Sequence, residues 1–117
     1  MFDFEKLEVY KKAKGFNAEI SVFLSRNNID RVSKDQLKRA ALSIPLNIAE
    51  GSSRFTKPDR RNFLIIARGS LFECIAILDI LREQELVISD DYIKFYQVGD
   101  ELSRILFAMI RNLETKQ

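Results

Sequence analysis

Apolar positions recur at intervals of three and four along nearly the whole chain, the period of an α-helix with one buried face. The first such run predicts a helix over about 4–25, its face built from Leu7, Tyr10, Ala13, Phe16, Ile20, Phe23 and Leu24. Asn27-Asn28-Ile29-Asp30 reads as a loop, because Asn and Asp favour turn conformations. A second helix is expected over 33–50, with Leu37, Ala41, Ile44 and Ile48 as its stripe. Ser33 and Gln36 have the spacing of a capping box, and Gly51 reads as the terminator. Pro45 falls inside this helix, where the missing N–H should bend it.

Thr56 is placed to cap a third helix over 57–83, with Pro58 tolerated in the first turn and Asp59 favourable to the helix dipole. Phe63, Leu64, Ile65, Ile66, Leu71, Phe72, Ile75, Ile77, Leu78, Ile80 and Leu81 leave this helix apolar nearly all round. A helix of that kind is expected to be buried on every side, which four helices of one short chain cannot achieve. Self-association is the reading that follows; a crowded single core is the alternative. The fourth helix, over 90–114, is opened by Ser89 with Asp90 and Asp91 in its first turn. Phe95, Gly99, Leu102, Leu106, Met109 and Leu113 form a heptad seam along it, flanked by Val98, Ile105 and Ile110. Short loops between long helices make consecutive helices antiparallel. The expectation is an all-α, antiparallel up-and-down four-helix bundle forming one domain over 1–117.

Composition narrows the chemistry. The 117 residues include no His and no Trp, so no imidazole can act as a general base, metal ligand or switch near neutral pH. The lone cysteine, Cys74, lies in the apolar run Cys74-Ile75-Ala76-Ile77-Leu78 and reads as a buried, inert thiol. The start Met1-Phe2-Asp3-Phe4-Glu5 has neither the basic nor the apolar part of a secretory leader. No uncharged apolar stretch approaches the roughly 20 residues of a membrane span. A cytoplasmic protein without cofactor or metal, acting by binding rather than catalysis, is expected.

The small net charge of +2 conceals an asymmetry. Between Ser33 and Arg68 there are eight Lys or Arg against three Asp or Glu, whereas from Gly69 onward there are five against nine. The basic residues gather at Arg54, Lys57, Arg60 and Arg61, with Lys34, Lys38 and Arg39 on the second helix. Such a cluster can displace counterions from a phosphate backbone. It can equally be a solvated face whose charges pair with the acidic fourth helix. Phe55 and Phe63 beside it could stack on bases, or pack in a core or interface.

Two blocks are unusual for a simple bundle. Ser43, Asn47, Glu50 and Arg54 run as a polar stripe along the second helix, and Ala67-Arg68-Gly69-Ser70-Leu71-Phe72-Glu73 sets small and charged residues amid hydrocarbon. Gly69 costs about 1 kcal/mol in a helix interior, so close approach of another helix is the expected gain. With Leu7-x-x-Tyr10-x-x-Ala13, Leu37-x-Arg39-Ala40 and Ser43-Ile44-Pro45-x-Asn47-Ile48-Ala49-Glu50-Gly51, these blocks make the whole chain resemble the 23S ribosomal RNA intervening-sequence proteins. That resemblance implies an up-and-down bundle assembling into a ring-like homopentamer. More distantly the chain resembles the accessory variability determinant of diversity-generating retroelements, a basic pentameric barrel that associates with a reverse transcriptase and nucleic acid.

The family's recurrent polar positions fall on Arg39, Ser43, Asn47, Glu50, Arg54, Arg68, Ser70 and Glu73. They read either as a binding site or as an interfacial hydrogen-bond network. In the network reading Ser43 and Asn47 turn toward Ser70, and Glu50 and Glu73 pair with Arg54 or Arg68. Lys38, Arg39, Arg54, Lys57, Arg60 and Arg61 are the candidates for contacting RNA or DNA. A scaffold docking a protein such as a reverse transcriptase is the other binding function. Hydrolysis by paired Glu50 and Glu73 is a third, opposed by the absence of the Glu-x-x-His pairs of di-metal bundles.

Overall fold

A computed structural model describes residues 1–114, and residues 115–117 of the expected domain lie outside it. Helix α1 spans Glu8–Arg26, α2 Arg31–Ser52, α3 Lys57–Glu83 and α4 Ser89–Asn112, with a short 3-10 turn at Asp3–Lys6 ahead of α1. Among the described residues there is no strand. The fold is the all-α up-and-down bundle.

Several helix ends differ from the pattern in the sequence. α2 begins two residues before Ser33, because the Asp30 carboxylate accepts the Ser33 amide at 3.0 Å and takes the capping role. That backbone hydrogen bond holds the Asp30 carboxyl below its usual range. Ser33 is therefore inside the first turn, and no capping box with Gln36 forms. Gly51 does not terminate α2 but lies buried within its last turn, at negative φ. Its value is spatial: a Cβ there would come within 3.1 Å of Phe63 Cβ. Thr56 does cap α3, its hydroxyl accepting from the Asp59 amide at 3.3 Å, and Pro58 sits in the first turn. α3 closes with Leu86 N–H bonding to Leu81 C=O at 2.9 Å around Glu85, whose φ of 61° is left-handed. Ser89 is the first residue of α4 rather than its cap; the capping position is Ile88, which offers no side-chain acceptor.

Each helix contributes one stripe to the core. Val9, Ala13, Phe16, Ile20, Phe23 and Leu24 come from α1, and Leu37, Ala41, Ile44 and Ile48 from α2. Leu64, Ala67, Leu71, Cys74, Leu78 and Leu81 come from α3. In α4 the buried positions are Tyr92, Phe95, Gly99, Leu102, Leu106 and Ile110, while Met109 and Leu113 of the expected seam are half-buried. Phe95 meets Phe16 and Phe23 edge-on, at centroid distances of 6.0 and 5.6 Å, which ties α4 to α1. The α2–α3 seam is the most extensive and the α1–α4 seam the slightest. No helix among the described residues is long and apolar enough to cross a membrane.

The core stripe of α3 accounts for only part of its apolar surface. Ile65, Ile66, Phe72 and Ile80 remain exposed on the outer side, so within one copy the helix is not enclosed.

Candidate functional site

The α2–α3 seam carries the polar residues that stood out in the sequence. Ser43 and Ser70 bring their hydroxyls to 2.8 Å across the seam. Asn47 donates its amide to the Ser43 carbonyl at 2.8 Å and to the Ser43 hydroxyl at 2.9 Å. Both serines and Asn47 are half-buried, so these bonds satisfy groups partly withdrawn from water. The cluster fixes the register of the two helices: Ser43 lies level with Ser70, as Gly51 lies level with Phe63.

The remaining candidates for that network part company with it. Glu50 pairs with Arg54 at 2.9 Å, one turn along the same helix. Glu73 is exposed and has no carboxylate–cation pair among the described residues. Arg68 turns the other way, toward α4. Its Nε donates to the Ser103 carbonyl at 3.3 Å, and its guanidinium lies over Phe72 and Phe107 at 4.7 and 5.3 Å. Given the register, Glu50 and Glu73 are ten residues apart along α3, about 15 Å, so they cannot share a water or a metal.

The basic candidates fall into two groups. Arg54, Lys57, Arg60 and Arg61 surround the α2–α3 connection at one end of the bundle. There Arg60 Nε donates to the Arg54 carbonyl at 2.6 Å, and the Arg54 guanidinium lies 4.6 Å over the Phe63 ring. The Nε atoms of Arg54 and Arg61 are shielded from solvent and have no hydrogen-bond partner among the described residues. Phe55, at the tip of the connection, is 100% exposed. Lys38 and Arg39 stand about 20 Å away, thirteen residues along α2 from its end. The structure does not join them to the first group within one copy.

The acidic fourth helix does not neutralise these cations as a set. Glu101 pairs with Lys12 at 2.6 Å, raising the lysine's pKa through that hydrogen bond, and Lys94 lies 3.8 Å from Glu19; both links run to α1. Among the described residues only the Arg61–Glu114 contact, at 3.7 Å, joins the basic end to the segment that follows α4. Among the described residues Lys38, Arg39, Lys57 and Arg60 have no carboxylate partner.

Cys74 is fully buried, and burial, reinforced by the nearby Glu73 charge, pushes its thiol up to about 12. It is a core residue in its protonated form at neutral pH.

A second feature went unread in the sequence: a groove between α3 and α4 where Arg61, Arg68 and Arg111 converge on Ile65, Phe72 and Phe107. The pairs Arg68/Phe72 and Phe107/Arg111 each have the four-residue spacing that puts a guanidinium over a ring. That spacing was the available signal; the meeting of the two pairs depends on how α3 and α4 dock.

An antiparallel four-helix bundle with a polar α2–α3 seam, a basic end and an uncovered apolar back defines the class of protein. The chain belongs to the 23S rRNA-intervening sequence protein family, whose model matches residues 5–108. A solved structure of a protein with unknown function from the S23 ribosomal protein family of Bacteroides thetaiotaomicron VPI-5482 is similar at a TM-score of 0.82 and 26% identity, covering 87% of this chain and 97% of that one. Among curated proteins none matches.

Proposed function

We propose that the protein is a non-enzymatic, self-associating binding protein, a homopentamer whose basic surface holds RNA or DNA by its phosphates. The observation that carries this reading is the crowding of Arg54, Lys57, Arg60 and Arg61 around one short connection, with two of the four lacking a carboxylate partner among the described residues. Phe55, wholly exposed beside them, offers a face on which a base can stack. A ring repeats this patch once per copy and multiplies the field. Lys38 and Arg39 form a separate basic group that a ring would likewise repeat.

Support for self-association comes from Ile65, Ile66, Phe72 and Ile80, which stay 42–57% exposed together on the back of α3. The number five rests on the family resemblance. Binding rather than catalysis is favoured by the absence of His, the protonated thiol of Cys74 and the separation of Glu50 from Glu73.

The test is a titration of a fluorescent single-stranded RNA and a duplex DNA at several salt concentrations. Affinity should fall steeply with salt, and Lys57→Ala and Arg60→Ala should each flatten the log–log slope by about one. No binding of either probe below about 50 mM salt removes the reading.

The same apolar back of α3 favours a second reading, a scaffold that docks another polypeptide such as a reverse transcriptase. Under that reading a protein partner co-purifies and persists after nuclease treatment.

A further inference from the structure

We propose that the α3–α4 groove of one copy seats the outer ridge of α2 from a second copy, at equal height along the bundle. The proposal rests on the self-association reading above and adds which surfaces meet and in what register.

The groove has a basic end, an apolar middle and an acidic end. Arg61 and Arg111, with Glu114 beside Arg61, mark the first, Gly69 and Phe72 the middle, and Asp79 and Asp100 the last. Gly69 is the informative residue. It is exposed in the interior of a 27-residue helix, and a Cβ there would meet nothing within 4 Å, so one copy alone gives it no packing role. Glycine at such a position costs about 1 kcal/mol, and it suits a site where another backbone comes close.

The ridge is Arg39, Leu42, Leu46 and Glu50, spaced by three, four and four, and so on one face of α2. Leu42 and Leu46 are 48% and 56% exposed, with Arg39 and Glu50 exposed on either side of them. Its order of charge is basic, apolar, acidic.

Heights follow from contacts within the subunit. Ser43 opposite Ser70 and Gly51 opposite Phe63 set α2 against α3. Arg68 bonded to Ser103, and Gly99 against Leu71 and Ile75, set α3 against α4. On that scale Leu46 is level with Ala67 and Arg68, and Leu42 with Leu71 and Phe72. Glu50 is level with Phe63, at the Arg61 and Arg111 end. Arg39 is level with Cys74, between Asp100 and Asp79. In a ring whose axis runs along the bundle, neighbours meet at equal height. The two leucines then fall on the floor around Gly69 and Phe72, Glu50 faces the arginines, and Arg39 faces the aspartates. The apolar middle matches the leucines, and Arg111 offers Glu50 a cation with no carboxylate partner among the described residues. Asp79 and Asp100, each held by an arginine of its own helix, face Arg39, which is unpaired among the same residues.

Ridge and groove are different surfaces of one subunit, so the contact is head-to-tail, a geometry that a ring uses and a two-fold dimer does not. Arg39 and Arg61 then belong to the contact rather than to the phosphate-binding surface, leaving Lys38, Lys57 and Arg60 facing outward for phosphate.

The test is a cysteine pair. Cys74 is buried and protonated, so it gives little background in mild oxidation. The full chain carrying Leu46→Cys together with Gly69→Cys should give a disulfide ladder of dimers and larger species on non-reducing gels, and neither single variant should give that ladder. Gly69→Leu should reduce the mass seen by light scattering to that of a monomer, with the thermal unfolding of the helices retained. An assembled wild type without a ladder from the double variant overturns this register while self-association stands. A monomeric wild type overturns both. An assembled Gly69→Leu protein that has lost RNA binding would make the groove a nucleic-acid site instead, and also overturns the proposal.

Discussion

Gly15 and Gly99 both lie in helix interiors, yet the same substitution should move stability in opposite directions. Gly15 is exposed on α1, and a Cβ there would have no neighbour within 4 Å. Gly15→Ala therefore collects only the gain in helix propensity, about 1 kcal/mol. For a chain of this length that raises Tm by roughly 4 °C. Gly99 is buried on α4, where a Cβ would stand 2.8 Å from Ile75 Cδ1 and 3.2 Å from Ile75 Cγ1. The same propensity gain is opposed by overpacking, which costs about 1–3 kcal/mol, so the net effect is a loss of about 0–2 kcal/mol. Removing the nearest atom should relieve it. Gly99→Ala combined with Ile75→Val should be more stable than the sum of the two single changes by about 1 kcal/mol. Urea denaturation followed by far-ultraviolet circular dichroism measures all four variants. The reasoning is refuted if Gly99→Ala stabilises as much as Gly15→Ala does, or if the double variant shows no coupling.

Three further outcomes follow from local geometry. Glu85→Gly should raise stability by about 1 kcal/mol in the same urea assay, because the φ of 61° disfavours any residue with a Cβ. Cys74, with its thiol near 12, should react with an aromatic disulfide reagent at pH 8 only as fast as the bundle opens, since about one thiol in ten thousand is ionised there; stoichiometric labelling of the native protein within seconds would contradict it. The Asp30 cap, with its carboxyl lowered, contributes stability that is complete above the ordinary value of about 3.9 and is lost as pH falls through the lowered one. The denaturation midpoints of the native protein and of Asp30→Asn should therefore differ by a constant amount above about pH 5, and the native protein's contribution from the carboxylate should disappear as pH falls below about 4.

The helices themselves were legible because the buried stripes keep strict three-and-four spacing. What the sequence could not show is which of two adjacent polar residues takes a cap. Ser33 with Gln36 has the better motif, but Asp30 wins because Ile29 is buried and anchors the chain just before it. Gly51 resembled a stop signal and is instead a contact, a distinction that depends on Phe63 across the seam. Ser43, Asn47 and Ser70 were singled out by their types amid hydrocarbon, and they do meet. The family resemblance places Arg68 with them, as a partner for Glu50 or Glu73, although its height and direction carry it to Ser103 and Phe107 on α4, thirty-five and more residues away. The basic cluster was visible as a count, but its division into two groups about 20 Å apart required the length of α2.

The slight seam between α1 and α4 has a kinetic meaning. The other three helix pairs that pack together are each joined by a short connection, so their contacts form between neighbours in the chain and need little loop closure. Joining the first helix to the last is the one step that must span nearly the whole polypeptide. It confers few contacts in return beyond Phe95 against Phe16 and Phe23 and two surface ion pairs. Low contact order of this kind lets the α2–α3 hairpin organise early, and it leaves the outer pair of helices as the place where the closed bundle first parts.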